Sequence, residues 1–205
     1  KKIKMINNFQ AIKDLLTFGD EDKFYFIQIF KRRKDNPDMK KDMVIIDNYF
    51  VYELEHFNGL EEKIIKQCND NNARAYIRLN RRSAKQVALK TLGRIAKMIE
   101  DENYKHVKRA YLSCAGEYHK EEDKTWIIDI DRNGASDEAY DAYINSVVFT
   151  AQGLIQETEK DDTIRFIPTK NGMHLICRPF NKKKFKNIFP EIDLHLDNPT
   201  ILYTP

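Results

Sequence analysis

The amino-acid sequence predicts an α+β fold whose second half contains a β-α-β-β-α-β unit. Runs of aromatic and β-branched residues, which are typical of strands, alternate with longer segments whose apolar residues recur every three or four positions, as in helices. The Asn171-Gly172 pair between two strand-like runs is typical of a tight hairpin. The 205 residues include only 7 glycines and 6 prolines, scattered along the chain. No flexible linker is evident, so two modules would have to pack closely.

In the first half, the hydrophobic periodicity predicts three strands and four helices. Gly19 is expected to end the first helix, a turn at 36–38 separates two strands, and Ser83 is expected to cap a long helix. The apolar residues of that long helix are expected to lie in the core: Val87, Leu89, Leu92, Ile95 and Ile99. The predicted strands are 23–32, 43–52 and 73–79, and the predicted helices are 7–18, 53–69, 83–101 and 104–114.

The second half predicts a strand, a helix, a hairpin, a short basic helix and one or two closing strands. Ser136 precedes the long helix, and Pro190 ends the basic one. This order is that of the ferredoxin-like fold, in its RRM-like form. We therefore expect an RRM-like module at 121–205, packed closely against an N-terminal αβ module at 1–120. The predicted strands are 125–131, 163–169, 173–178, 192–196 and 200–203, and the predicted helices are 136–154 and 182–189.

The composition indicates a protein that works in water and in a reducing compartment. Charged residues make up 33% of the chain but nearly cancel to a net charge of +3, so the total charge identifies no partner. Cys68, Cys114 and Cys177 stand far apart with no CxxC pair, which argues against a disulfide framework or an ordinary zinc knuckle. No apolar run approaches the length of a membrane span, and no signal-peptide pattern opens the sequence. We expect a soluble, cytoplasmic protein with no membrane partner.

Four polar residues are expected to meet at one corner of the second-half sheet. In the ferredoxin-like strand order, the first strand lies between the third and the fourth, and both run antiparallel to it. Asp129 and Asp131 lie at the end of the first strand and share a face, because they are two residues apart. His174 lies near the start of the third strand and Asp193 at the start of the fourth. Asp197 alternates onto the face of Asp193, so the third carboxylate stays ambiguous.

Carboxylates that share a face repel each other unless cations screen them. Their oxygens are natural ligands of Mg²⁺ or Mn²⁺, and a pair of such ions is typical of in-line displacement at phosphorus. His174 or Lys170 beside them would supply positive charge to a nucleoside triphosphate. Ordinary alternatives exist: an acidic strand end in solvent, and a Lys-Asn-Gly hairpin tip followed by a structural histidine. The convergence of these residues is what favours a chemical site.

Basic residues cluster in three places and are candidates for contact with nucleic-acid phosphates. Arg74 and Arg78 share one strand face near Tyr76, and Arg81 and Arg82 follow them. Arginines bind phosphates, and an aromatic neighbour can stack on a base. The alternative is a solvated, charged face. The other two clusters are at 31–34 and 182–186.

Three segments resemble the signature motifs of the archaeo-eukaryotic primase superfamily. They are WIIDID at 126–131, TKNGMH at 169–174, and Ile192-Asp193. The family motifs are hhhDhD/E, a small hydroxyl residue followed shortly by His, and hD/E. The resemblance is closest to the compact primase–polymerases of phages and mobile elements and covers most of the second half. The first half fits more loosely, as the αβ module that flanks the RRM-like catalytic fold of that family.

The resemblance assigns roles to two groups of residues. It implies that three carboxylates ligate the catalytic Mg²⁺ or Mn²⁺ ions: Asp129, Asp131 and Asp193. It also implies that four residues bind the nucleotide: Thr169, Lys170, Gly172 and His174. The zinc-binding element of many primases has no counterpart among the three dispersed cysteines, which puts template reading and initiation on single strands in doubt.

The expected function is that of a template-dependent nucleotidyltransferase, a DNA primase or polymerase that joins nucleoside triphosphates in DNA replication. Its partners would be nucleoside triphosphates and single-stranded or primed DNA, in the cytoplasm of a bacterial host that carries a phage or mobile element. The sequence contains no Walker A motif, so unwinding would need a separate helicase. Two alternatives stay open, a metal-dependent nuclease and a catalytically silent, RRM-like nucleic-acid-binding accessory protein of replication.

Overall fold

The computed structural model describes residues 5–117 and 123–205, and it confirms an α+β fold. The predicted module boundary at 120 and 121 lies outside the described residues. The strands in those residues are β1 Ile6–Asn7, β2 Lys23–Arg32, β3 Met43–Val51, β4 Arg74–Ser83, β5 Trp126–Asp131, β6 Arg165–Pro168, β7 Gly172–Cys177, β8 Asp193–His195 and β9 Pro199–Thr204. The α-helices are α1 Phe9–Lys13, α2 Leu54–Asn71, α3 Ala84–Glu100, α4 Ala110–Gly116, α5 Asp137–Gln156 and α6 Lys182–Ile188, and a 3-10 helix covers Tyr104–Arg109.

The first sheet has five antiparallel strands in the order β1-β9-β4-β2-β3. Alternation along β2 decides what covers each face. Tyr25, Ile27 and Ile29 point into the core that α2 closes, whereas Phe24 and Phe26 point to the opposite face and pack with Val87 of α3 and with α4. The far end of that opposite face, beyond Phe26, is left to polar and aromatic residues.

The second sheet has four antiparallel strands in the order β6-β7-β5-β8. β5 therefore lies between β7 and β8, as the sequence predicts. One face of this sheet, with Ile128 and Leu175, packs against α5 and α6. The other face places Ile127, Ile167 and Ile176 in the same core as residues of the five-stranded sheet. The two sheets thus share a hydrophobic core, and the remainder of that face borders a cleft.

The first and last strands of the described residues pair in the five-stranded sheet. Ile6 pairs with Thr204, and β9 lies between β1 and β4. The predicted first helix is correspondingly shorter, because residues 6 and 7 form a strand and α1 covers only Phe9–Lys13. Sequence periodicity does not reveal this pairing, because its partners are separated by nearly the whole chain.

α3 was predicted to be a helix of the core, but most of its apolar residues are not buried. Ser83 does cap it, since the Ser83 hydroxyl accepts a hydrogen bond from the backbone N–H of Gln86 at 3.1 Å. Only Val87 and Thr91 of α3 are buried, however, and the prediction that Leu89, Leu92 and Ile99 lie in the core is wrong. The helix contacts β4, α4 and the 3-10 helix along one side, which leaves its other side in solvent.

Within the described residues, no helix is long and apolar enough to cross a membrane. The three cysteines form no disulfide with one another, and each is buried. Burial raises the pKa of Cys68 and of Cys177 to about 12. These thiols are therefore uncharged at neutral pH and belong to the hydrophobic core.

A substitution at Gly172 tests the close contact between the β6–β7 hairpin and β5. Gly172 pairs with Asp131, and a Cβ at this position would lie 1.9 Å from the carbonyl oxygen of Ile130. We expect Gly172→Ala to lower the free energy of unfolding by about 1–3 kcal/mol, because backbone must move to relieve the overlap. Gly59→Ala in α2 is the matched control, since a Cβ there meets nothing within 4 Å, and it should stabilise by about 0.5–1 kcal/mol.

Urea unfolding followed by the fluorescence of Trp126, the single tryptophan and a buried residue, measures both variants. Equal stability of Gly172→Ala and the parent would contradict the close approach of the two strands.

Candidate active site

The register of the four-stranded sheet brings the predicted acidic and basic residues together. Asp129 of β5 is paired with His174 of β7 on one side and with Asp193 of β8 on the other. Asp131 lies two residues further along β5 and therefore shares the face of Asp129. These side chains lie on the face of the sheet opposite α5 and α6. The four residues expected at one corner are thus neighbours in space.

The imidazole rings of His174 and His195 both contact the carboxylate of Asp129. Nε2 of His174 lies 3.5 Å from Oδ1 of Asp129, and Nε2 of His195 lies 3.4 Å from Oδ2. Burial by itself would raise the pKa of Asp129, but the contacts with His174 and His195 outweigh burial and hold that pKa well below its usual value. Asp129 is therefore a carboxylate at neutral pH. The other ring nitrogen of His174, Nδ1, is buried and has no hydrogen-bond partner among the described residues.

His195 is a site residue that the sequence analysis did not select. It follows Asp193 by two residues and pairs with Ile127, so alternation on β8 puts it on the face of Asp193. The alternating Asp193-x-His195 pattern could have indicated that the two side chains share a face. Both residues lie on one strand because β8 covers Asp193–His195.

The side chains of Asp131 and Asp193 are exposed and make no hydrogen bond or ion pair with the described residues. With Asp129 they line one pocket of about 110 Å³, which Tyr143 and Glu191 also border. In the described part of the chain, no three His, Cys, Asp or Glu side chains are already close enough to hold an ion together. The three carboxylates nevertheless fit a divalent cation in donor type, because Mg²⁺ and Mn²⁺ take oxygen ligands. The two unpartnered side chains are free to turn toward such an ion.

The loop between β6 and β7 is tied to the end of β5. The backbone N–H of Thr169 donates to the carbonyl of Gly172 at 3.0 Å, and the N–H of Gly172 donates to the Thr169 hydroxyl at 2.9 Å. The N–H of Arg132 donates to the carbonyl of Asn171 at 2.9 Å. Lys170 makes no ion pair with the described residues and borders the same pocket as Asp129 and Asp131. All four predicted nucleotide-binding residues thus lie within this loop or at the start of β7.

The opposite wall of the cleft comes from the five-stranded sheet and is basic and aromatic. Arg74 and Arg78 of β4, predicted to bind nucleic acid, both face the cleft. Between them, Tyr76 stacks on Phe30 of β2 with ring centroids 4.9 Å apart and planes 5° from parallel. Arg32 borders both parts of the cleft. The larger part, with a volume of about 440 Å³, lies between this wall and Asp129, His174, Asp193 and His195.

The sequence pattern did not identify Phe30 or Arg32 as site residues, although residues 31–34 form a basic cluster. Phe30 and Arg32 alternate on β2 and lie across from β4, where Phe30 pairs with Arg74. A prediction would have required the pairing of β2 with β4, which no local pattern reveals.

Arg81 and Arg82 do not line the acidic cleft. Alternation puts Arg81 on the other face of β4 from Arg78, where it pairs with Asp123 at 2.9 Å and borders a separate cavity. Arg82 shares the face of Arg78 but is only 1% exposed, and its Nε donates to the carbonyl of Ala115 in α4 at 3.0 Å. A guanidinium buried in this way cannot reach a phosphate, so the cleft offers Arg74 and Arg78 but not the two arginines that follow.

Asp197 has a different role from Asp193. Its Oδ2 accepts hydrogen bonds from Nη2 of Arg82 at 2.6 Å and from Nη1 of Arg78 at 2.9 Å. The same oxygen thus serves two arginines of β4, one of them fully buried. Of the two candidates for the third carboxylate, Asp193 is the one paired with Asp129 and lacking a cationic partner.

Comparisons with protein-family models, with curated proteins and with solved structures found no match to this chain.

We expect Asp197→Ala and Asp193→Ala to differ in stability. Removing Asp197 leaves the buried Arg82 without its carboxylate, which costs about 3 kcal/mol of unfolding free energy. The Asp193 side chain is exposed and has no partner in the described part of the chain, so its removal should change the unfolding free energy by less than about 0.5 kcal/mol. Urea unfolding measures both, and equal losses would contradict the structural role of Asp197.

Proposed function

We propose that the protein is a template-dependent nucleotidyltransferase of the primase–polymerase type, which forms phosphodiester bonds from nucleoside triphosphates with two divalent metal ions. The observation that carries the proposal is the cleft itself. Three carboxylates on one wall, two of them unpartnered, face arginines and a stacked aromatic pair on the other wall. An acidic wall attracts metal ions, and a basic and aromatic wall suits a nucleic-acid strand.

Asp129, Asp131 and Asp193 would hold the Mg²⁺ or Mn²⁺ ions. When bound, such ions activate the attacking hydroxyl and neutralise charge on the reacting phosphate. The protein would contribute by fixing the positions of these carboxylates. Asp129 is held by His174 and His195, so its oxygens stay in place, and Asp131 and Asp193 flank it from β5 and β8.

The loop of Thr169, Lys170 and Gly172, together with His174, would bind the triphosphate. Lys170 has no carboxylate partner among the described residues and borders the same pocket as the acidic pair, so its ammonium group is available to phosphate oxygens. The hydrogen bonds of Thr169 and Gly172 keep the loop against β5. This supports a nucleotide whose phosphates lie between Lys170 and the metal ions.

The wall of β2 and β4 would hold the template and the base pair being formed. Arg32 and Arg78 supply positive charge, and the stacked Phe30 and Tyr76 offer a flat apolar surface. Aromatic side chains bind bases of any sequence by stacking, which suits copying. Single-stranded or primed DNA is thus the proposed template, with a separate helicase to open duplexes and the cytoplasm of a bacterial host as the place of action.

The direct test is nucleotide incorporation. We expect the protein to incorporate labelled dNTPs or NTPs into a product on single-stranded or primed DNA in the presence of Mg²⁺ or Mn²⁺. Asp131→Asn and Asp193→Asn should each lower incorporation by about 100-fold or more, since each removes a proposed ligand charge. Both side chains are exposed and have no ion-pair partner among the described residues, so the variants should unfold at the same urea concentration as the parent.

Asp70→Asn is the matched control. Asp70 is an exposed carboxylate on α2, where it pairs with Lys66 at 2.6 Å, and α2 covers the opposite face of the five-stranded sheet. Full incorporation by folded Asp131→Asn and Asp193→Asn would refute the metal site. Template cleavage in place of extension would favour a nuclease, and template binding without either activity would favour an accessory protein.

Two substitutions should separate nucleotide binding from template binding. We expect Lys170→Ala to raise the KM for the nucleotide by about 10-fold, because a charged contact to phosphate is lost, with the template Kd unchanged. We expect Phe30→Ala, at a residue that borders only the larger part of the cleft, to weaken template binding through loss of a stacking surface, with the nucleotide KM unchanged. Steady-state kinetics and fluorescence anisotropy with a labelled oligonucleotide measure the two quantities. The opposite pattern would exchange the roles of the two walls.

A further inference from the structure

α3 presents an apolar face to solvent that nothing in the described chain covers. Leu89, Leu92 and Ile99 are 55%, 65% and 53% exposed. Together with small neighbours they form what we call the α3 seam, which comprises the exposed residues Ala88, Leu89, Leu92, Gly93, Ala96 and Ile99. The spacing of Leu89, Leu92, Ala96 and Ile99 alternates between three and four residues, which is the pattern by which helices pair side by side.

The orientation of α3 is well determined by its inner side. Val87 and Thr91 are buried, and Val87 packs with Phe24, Phe26 and Cys114. Arg94 donates to the Ser113 hydroxyl at 2.6 Å and pairs with Glu117 at the end of α4. Because Val87, Thr91 and Arg94 all face the protein, the seam lies on the outer side of the helix.

The residues of the seam are complementary to the same residues of an antiparallel copy. Pairing about the midpoint between Leu92 and Gly93 puts Leu92 of one copy opposite Gly93 of the other and Leu89 opposite Ala96. Leu89 and Leu92 thus each meet a small residue. The same pairing puts Lys85 opposite Glu100 at both ends. These two side chains are exposed and make no ion pair with the described residues.

Gly93 supports a close approach at the centre of this pairing. A glycine inside a helix costs about 1 kcal/mol relative to alanine, and no atom of the chain lies within 4 Å of where its Cβ would be. Packing within the monomer therefore does not require a glycine there. A glycine there would favour a second helix that crosses at this point, because a missing side chain lets two backbones come together.

We propose that a second copy of this chain docks on the α3 seam, with the two α3 helices antiparallel about a two-fold axis. The charges select this partner and this direction. A parallel pair would put Lys85 beside Lys85 and Glu100 beside Glu100, whereas the antiparallel pair neutralises both ends. None of the seam residues lines the active-site cleft, so the proposal is independent of the proposed function.

The affinity is expected to be modest. α3 has 17 residues and is about 25 Å long, so one pair of these helices buries less than the roughly 800 Å² per partner of a standard interface. The apolar side chains supply most of the stabilisation, since exposed ion pairs contribute about 0.2–1 kcal/mol each. We expect a dimer dissociation constant on the order of micromolar.

Sedimentation equilibrium of the full chain, at concentrations below and above the expected dissociation constant, tests the proposal. The parent should change from monomer to dimer as its concentration rises. Leu92→Glu, at the centre of the seam, should weaken the dimer by about 100-fold or more, because it buries a charge without a partner. Phe149→Glu is the matched control, since Phe149 is an 81% exposed apolar residue of α5 outside the seam, and it should dimerise like the parent.

Charge reversals at Lys85 and Glu100, made singly and together, test whether these two residues pair across the interface. Lys85→Glu alone and Glu100→Lys alone should each weaken the dimer, and the double variant should restore it, because both end pairs then have opposite charges again. Gly93→Ala should raise the stability of the helix and still weaken the dimer. Trp126 fluorescence during urea unfolding shows that each variant is folded.

A parent that stays monomeric at the highest concentration would overturn the proposal. So would a dimer that survives Leu92→Glu but is lost in Phe149→Glu, which would place the interface on α5. Failure of the double charge reversal to restore dimerisation would rule out the antiparallel pairing.

Discussion

The pairing of β5 with β7 and β8 is the constraint on which the candidate site depends. Backbone hydrogen bonds between antiparallel strands fix which residues stand opposite one another, and here they set His174 and Asp193 on either side of Asp129. A shift of one residue in either ladder would turn the polar side chains into the core beneath α5. The contact of Gly172 with the backbone of β5 opposes such a shift, because only glycine fits there.

A second constraint holds the two sheets together across the cleft. After β8 the chain passes Asp197 and then enters the other sheet as β9. Asp197 binds Arg78 and Arg82 of β4 at this crossing point, so the strand that carries Asp193 is anchored to the strand that carries the basic wall. The spacing between the acidic and basic walls therefore depends on a buried ion pair as well as on the shared hydrophobic core.

Partners within each wall explain why so many ionisable groups tolerate one cleft. Asp129 is kept ionised by two histidines, and Arg74 by Asp35, with which it pairs at 2.6 Å. The groups with no partner in the described chain, Asp131, Asp193 and Lys170, lie at its edges, where water screens them. A bound metal ion and a phosphate would satisfy the charges that the protein leaves unpaired.

Much of the fold was predictable because strands and helices follow from local patterns. The predicted strand 23–32 coincides with β2, and Ser83 caps α3 as expected. The placement of Asp129, Asp131, His174 and Asp193 at one corner was also predictable, because strand order and alternation together assign each residue to an edge and a face. For these features, residue spacing carries the necessary information.

Other features depend on contacts between distant segments, and only the tertiary structure decided them. The pairing of β1 with β9 joins strands that are nearly 200 positions apart in the sequence, and the pairing of β2 with β4 brings Phe30 and Arg32 to the cleft. The sequence by itself determined that the chain has an acidic pair, a loop with a lysine and a histidine, and clusters of arginine. It did not distinguish Arg78 at the cleft from Arg82 in the interior, because the burial of a side chain depends on which element packs over it. α4 covers Arg82 and leaves the outer side of α3 bare, and no local pattern specifies where a neighbouring helix will lie.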